Sequence, residues 1–593
     1  MQLETLDWIV IAIYGIITFI LGLWYTRRAG QSMEDYFVAG RSLPWWVAGT
    51  SIAATWFATD APLAAASLVR QHGIFGNWLW WYEAGGLMLL VFFFAKYWRR
   101  ANIITDAELM ELRYSGKGAT ALRGVSAIYH GVVRNCIVMG WVMLAMVKFA
   151  QVLLGWDAAF TLTVCIGLAL IYTLASGLWG VVMTDMFQFV TGLIGSIILA
   201  GVVLYELGGP TAMAEKINAL EDAPPGALEM LPTTTHLSSL EFASYMSLIL
   251  VLWMRSGHDG YPAQRLFATK NSQSATLAAL LWAFLGITIM TWPWIIVGLG
   301  SLVIFPISEA SQALAADPEL AYPMMLAEMM PIGLKGMLVA AFLAAFMSTM
   351  DTHLCWGGSY LVNDIYKRFM VKTASNRHYV NVSRVSILVL VAFAALTAWQ
   401  MTSIEKAWIY IIDLTAGLSL VWIFRWYWWR VNAWAEISAM IGSLILANGH
   451  LILQLFEGIG ILPASLAQDL GMIYIKDYNL SRAVFILIIC TLVWVIVALN
   501  TKPDDETKLN HFYRLVRPGG WWGPIAKNNP DIQTDATGSQ RWLGWLIGMT
   551  FIYSGLLGIG YVSIGQFNLG IGLVLLSILA GWGTMRLVSK EAT

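Results

Sequence analysis

Hydroxyl and carboxylate residues stand inside some of the most apolar stretches of this chain, and their spacing is what first points to chemistry. In AAFLAAFMSTMDTHLCWGGSYLVNDIYK, Ala345, Ser348, Thr349 and Thr352 recur at i, i+3, i+4, i+7 and so share one helix face, with Asp351 on its flank. Such oxygens on one face suit a hard cation. In SIAATWFATDAPLAAASLV, Gly49 and Pro62 bracket Thr55, Thr59 and Asp60, and the helix is expected to unwind around Ala53 to Asp60. In SLILVLWMRSGHDGYPAQR, Gly257, Gly260 and Pro262 surround Arg255, His258 and Asp259. Two interrupted apolar segments in matching positions of two halves are the sequence pointer to an inverted-repeat transporter, whose freed carbonyls bind a cation at the membrane midplane. Pro-kinked packing helices leave the same trace. Membrane Ser and Thr often only hydrogen-bond a neighbouring helix, which accounts for the hydroxyls but not for Asp351.

An ionisable group inside a bilayer costs about 2.5 to 3.5 kcal/mol on insertion scales, so each one needs a reason. Arg134 lies well inside HGVVRNCIVMGWVML, Glu83 is shallower in WLWWYEAGG and placed to snorkel outward, and Asp185 begins GVVMTDMFQFV, near the expected inner face. Thr55, Thr59, Asp60, Glu83, Arg134, His258 and Asp259 form a candidate pocket of mixed sign, suited to a zwitterion or a hydroxylated acid with Arg134 on its carboxylate. Arg134 neutralising Asp60 or Asp259 is an equal reading, because buried charges are paired whatever their role.

The elements that must hold these residues are membrane helices. Of 593 residues, 58% are hydrophobic and 12% charged, too little charge to cover a soluble surface. Apolar runs give about fifteen spans. They lie near 7–26, 45–69, 76–98, 122–153, 158–179, 183–206, 239–258, 274–304, 331–364, 382–400, 407–424, 432–456, 483–500, 542–562 and 566–586. With the N-terminus outside, alternate connections (26–41, 96–123, 264–270, 366–384, 425–430, 502–541 and the tail) hold 26 of the 35 Lys and Arg, which predicts N-out, C-in topology. Trp45-Trp46, Trp78 with Trp80-Trp81, and Trp426 with Trp428-Trp429 fall at predicted span ends and read as an interfacial belt. The connections 207–238, 458–481 and 501–541 are long, and the last, with RPGGWWGPIAKNNP, is expected on the membrane surface.

Cys136, Cys165, Cys355 and Cys490 show no paired spacing and read as core filler. The N-terminal MQLETLD lacks the basic region of a cleavable signal, so the first helix is expected to remain. A net charge of −1 argues against nucleic acid. A channel needs a continuous polar stripe. An enzyme needs a catalytic constellation, whereas His130, His258 and His353 are scattered, with no nucleophile motif or transition-metal spacing. A transport-like membrane sensor fits the same core.

Five ordered stretches resemble the sodium:solute symporter family: GRSLPWWVAGTSIAAT, TDMFQ, YPAQRLFATKNSQSA, AAFMSTMDTH ending in NDIYK, and WWRVNAWAEISAMIGS. The resemblance covers roughly residues 5–450. It implies an all-α polytopic membrane protein with a five-plus-five inverted-repeat, leucine-transporter-like core at 41–430 (repeats about 45–206 and 239–424), after a leading helix and loop at 1–40 and before trailing helices at 431–593. It implies Na+-coupled import of a small polar solute by alternating access, Na+ as coupling ion without an organic cofactor, a lipid setting in a bacterial inner membrane, and no set oligomeric state, a monomer included.

The family's main sodium site falls on the carbonyls of Ala53, Trp56 and Ala345 and the hydroxyls of Ser348 and Thr349. Its TD motif places Asp185 with Ser348, Asp351 and Thr352 as a second cation site, for Na+ or H+. Sugar-carrying members have a Ser-Ala-Glu-Gln-like stretch where this chain has Phe57 to Asp60, and an Asn at Asp259. Arg134 matches the helix position from which sialic acid carriers hold a carboxylate. These departures argue against a neutral sugar. Asp351, where small or hydroxyl residues are usual, adds a cation site or a proton carrier.

Overall fold

The computed structural model describes residues 3–29, 33–255, 260–461, 463, 481–533 and 538–590, and among these the chain is helical, with no named strand. That follows from the solvent. Lipid offers no hydrogen bonds, so each spanning segment must satisfy its backbone internally.

Every segment read as a span has a helical counterpart. Among the described residues nine helices are long and apolar enough to cross a membrane, or twelve if each of three bent pairs is one span: Trp45–Trp56 with Asp60–His72, Ile404–Ala416 with Ser419–Tyr427, and Ala433–Ala447 with Gly449–Gly458. Thr5–Thr18, Ala158–Leu170 and Ser239–Leu250 are shorter apolar helices. The expected spans 158–179 and 183–206 lie within one helical run, Ala158–Glu206.

The first interruption is narrower than the sequence suggests. The helix holds through Trp56 and bends by 54° before resuming at Asp60. Phe57 N–H still reaches the carbonyl of Ala53 at 2.9 Å, so the loss of pairing is confined to residues 57–59. Pro62 sits in the first turn of the new helix, where a missing N–H leaves no partner unsatisfied. The second interruption runs from a 3-10 turn at Leu252–Arg255 to the helix Tyr261–Phe267. Gly260 restarts it at φ +80, a backbone that favours glycine, and a Cβ there would stand 3.1 Å from the Trp356 ring.

Two expectations need correction. Trp45 and Trp46 are exposed as a belt requires, but Trp78, Trp81 and Trp426 are buried. Their helices lie inside the bundle, and two of the indoles bond protein: Trp78 Nε1 to Met230 O at 2.9 Å, Trp81 Nε1 to Thr291 Oγ1 at 3.3 Å. Nor does 501–541 merely lie on the membrane. The helix Glu506–Val516 buries Leu509, Phe512, Tyr513 and Val516, and Trp522 is buried beside it. Of the connection 458–481, most lies outside the described residues.

That docked segment meets Arg113, which is fully buried. Arg113 donates to the carbonyls of Arg425, Trp428, Trp429 and Val431 at 2.8 to 3.3 Å, stacks on Trp522 at 4.8 Å, and lies 3.9 Å from Asp504. Nearby, Glu111 accepts from Arg368, Arg123 and Thr120. Burial alone would raise this carboxyl, but those donors outweigh it and hold it down at about 2.

Arg113→Lys keeps the charge but loses the planar fork that spans several carbonyls, so the unfolding midpoint of the purified protein should fall by several degrees; an unchanged midpoint would contradict this role. For Glu111, a lowered folded pKa means that its contribution is complete above the ordinary value of 4.5 and disappears as pH falls through about 2. The stability gap between the natural chain and Glu111→Gln should therefore be flat from about pH 5 to 8 and shrink only below about 4.5.

Candidate functional site

The helix Leu334–Ser359 passes the first interruption with its hydroxyl face turned toward it. Thr349 Oγ1 lies 3.2 Å from the carbonyl oxygen of Thr55 and 3.1 Å from that of Ala345. Ala53 and Ala345 are buried, and Trp56 lines the adjoining cavity. The Ala53 carbonyl accepts from Phe57 and keeps a second lone pair for a ligand. Ser348 turns instead to Asp185, donating to Oδ1 at 2.6 Å.

Asp185 is fully buried, so its position at the start of a sequence span does not make it an interfacial group. Ser51 donates to its Oδ2 at 2.5 Å, and the Arg265 guanidinium lies 3.9 Å away. Arg265 also donates to Thr352 Oγ1 at 2.7 Å, and Thr352 is 3.3 Å from Thr55 Oγ1. Asp185, Ser348 and Thr352 thus come together around a protein cation that the sequence reading had counted among the loop residues 264–270. Arg265 lies four residues past Tyr261, where the interrupted helix restarts, and that position was the available signal. Asp351 is buried on the same helix, as its flank position implies.

A cavity of about 200 Å³ opens beside the interruption. Of the expected pocket residues, Thr55, Asp60, Glu83 and Arg134 line it. Thr59 does not; its hydroxyl faces the Phe342 carbonyl at 3.2 Å. His258 and Asp259 lie outside the described residues. Glu83 is bound to Arg255 at 2.6 Å rather than snorkelling outward, and Tyr82 OH joins that pair. Asp60 is buried, yet its Oδ1 has no hydrogen-bond partner among the described residues.

Sequence reasoning missed Arg255, Tyr82, Tyr261 and His353 as lining groups, together with Trp56, Trp80, Trp141, Trp282, Trp356 and Trp408. His353 Nδ1 lies 2.5 Å from Asn135 Oδ1, and Asn135 Nδ2 donates to the His353 carbonyl at 2.8 Å. That orientation makes Nδ1 the donor and leaves Nε2 as an acceptor in the neutral ring. Arg134 is half-buried on the same wall.

Residues 36–445, which include both interruptions, the hydroxyl face and the cavity, match the sodium:solute symporter family. The chain belongs to this family. Na+ is its coupling ion. Over 558 residues it is 25% identical to sodium/glucose cotransporter 4 of Danio rerio, covering 88% of this chain and 81% of that one. Over 470 residues it is 26% identical to the sodium/glucose cotransporter of Vibrio parahaemolyticus, covering 75% and 85%. Sodium/myo-inositol cotransporter 2 of Homo sapiens is 26% identical over 558 residues, covering 87% and 79%. In fold, the chain is similar to a Na+-coupled sialic acid symporter solved substrate-bound and outward-open, with a TM-score of 0.68 at 19% identity over 85% of this chain and 99% of that one.

Removing one partner of a buried ion pair strands the other, at about 3 to 5 kcal/mol. Arg265→Gln should therefore cut the yield of folded protein sharply, and Asp185→Asn added to it should restore much of the loss. Size-exclusion profiles of the two variants check this; a double variant no better than the single one would mean that the charges are not coupled.

Proposed function

We propose that the protein is a secondary active symporter that couples inward Na+ movement to uptake of a small polar solute of mixed charge, a zwitterion or a hydroxylated or sugar acid, by alternating access. The supporting observation is the single cavity that gathers Asp60, Glu83, Arg134 and Arg255 directly beside the Thr349–Thr55 contact. In this reading Na+ binds the carbonyls of Ala53, Trp56 and Ala345 and the hydroxyls of Ser348 and Thr349. Binding draws the broken helix to the hydroxyl face and orders the cavity; rocking of the repeats at about 45–206 and 239–424 then exposes it to the other side.

We assign N-out, C-in topology and a bacterial inner membrane. Each charge moved down the membrane potential releases about 2.3 kcal/mol per 100 mV, and each 1.4 kcal/mol is about tenfold in accumulation. A second cation, Na+ or H+, at Asp185, Ser348, Asp351 and Thr352 would steepen the gradient, although Arg265 already supplies positive charge to Asp185.

The names of the sodium/glucose relatives favour a neutral sugar instead. Proteoliposome uptake separates the two readings. Na+-driven accumulation of charged solutes but not of glucose supports this proposal; accumulation of glucose alone overturns it, and no Na+-driven flux of any solute removes the transporter reading. Ser348→Ala and Thr349→Ala should each raise the Na+ concentration for half-maximal uptake by about tenfold, the cost of roughly one charge-assisted contact. Unchanged Na+ dependence in both would sink the cation site.

A further inference from the structure

We infer that the transported solute carries a cationic nitrogen, which seats on Asp60 within the indole-walled part of the cavity, while its anionic end lies toward Arg134. This rests on the symporter reading and narrows its substrate.

Asp60 is 4% exposed and lines the cavity; the indole N–H groups of Trp408 and Trp141 face its carboxylate, while its Oδ1 has no donor in hydrogen-bond geometry among the described residues. A carboxylate oxygen buried without a partner is costly, and an ionised carboxylate can only accept. The protein leaves this acceptor to be completed by something that enters. Asp60 stands at the first position of the helix Asp60–His72, whose N-terminal end attracts negative charge.

The walls decide between an ammonium and a hydroxyl as that donor. Trp56 packs edge-on to Trp80 and Trp282, with centroids 4.9 Å apart in each case, and Trp80 packs on Trp408 at 5.3 Å. All four line the cavity. The Trp80 N–H is already committed to the Gly286 carbonyl at 3.0 Å, so that indole offers ring surface rather than a donor. A sugar hydroxyl beside an indole still needs an acceptor for its proton, and an indole N–H can only donate. Indole faces beside a carboxylate attract a cation, and an ammonium that keeps at least one N–H also supplies the donor that Asp60 Oδ1 lacks.

Charge balance agrees. Among the described residues the cavity gathers two acids, Asp60 and Glu83, and two arginines, Arg134 and Arg255, so each end of a zwitterion meets an opposite charge.

The test uses the full chain, purified in detergent, with the unfolding midpoint measured in Na+ or K+. Probes are glycine betaine, a panel of ordinary and N-methylated α-amino acids, gluconate, glucose, and 3,3-dimethylbutanoate, the carbon analogue of glycine betaine that keeps its shape and carboxylate but not its cationic head. At least one zwitterion should raise the midpoint in Na+; the carbon analogue, gluconate and glucose should not. Asp60→Asn should weaken that zwitterion about a hundredfold, and Trp80→Leu, whose indole N–H is bound to Gly286 and not to Asp60, about tenfold.

The inference is overturned if no zwitterion shifts the midpoint, if the carbon analogue or a sugar does so equally well, or if both variants bind as the natural chain does. Failure of the symporter reading itself looks different: Na+ alone would fail to shift the midpoint relative to K+, in the natural chain and in Ser348→Ala alike.

Discussion

A carboxylate removed from water must be answered by protons or positive charge from its own protein, and Asp185 is where that demand organises the core. Its two oxygens take Ser51 from the first interrupted helix and Ser348 from the hydroxyl-faced helix, and Arg265 comes from the stretch beyond the second interruption. Residues more than a hundred positions apart in sequence are thereby fixed within one network. Helices that carry the cavity are tied together while it is intact, because breaking any one contact leaves a buried charge less fully answered.

The same demand explains why the two interruptions can exist in a membrane. Irregular backbone at bilayer depth is tolerated only where protein or an internal cavity receives its polar groups. At the first break, Thr349 meets the Thr55 carbonyl and Thr59 meets that of Phe342. At the second, Asp106 accepts the Gly260 N–H at 2.7 Å. Thr349 and Phe342 lie on another helix, and Asp106 in the turn before Glu108–Arg113, so the state of each break depends on the position of its neighbours. That dependence is the physical content of a ligand ordering a cavity.

Much of this was legible in the sequence, for identifiable reasons. Gly49 with Pro62, and Gly260 with Pro262, mark the breaks because those residues have restricted uses in helices, and the Ser348–Thr349 face follows from helical periodicity alone. Arg265 was not legible as a core residue, because counting basic residues by loop treats every one near a span end as solvated. The Trp78–Trp81 cluster misled for a related reason: an aromatic group at a span end has the same pattern whether its neighbours are lipid headgroups or other helices. Only the packing of the helix carrying Trp78 and Trp81 against residues such as Thr291 and Met230 separates the two. Glu83 seemed free to reach water because its partner, Arg255, stands 172 residues away.

The carbonyls gripped by Arg113 lie between the end of helix Ser419–Tyr427 and the start of Ala433–Ala447, while Trp522 covers its other face from the trailing part of the chain. Any opening at that end of the bundle that parts residue 113 from residues 425–431 must release these bonds and lift the docked segment together. The spacing of that end of the bundle is therefore set partly by residues that do not line the cavity, and a chain shortened before this segment would leave one face of Arg113 uncovered.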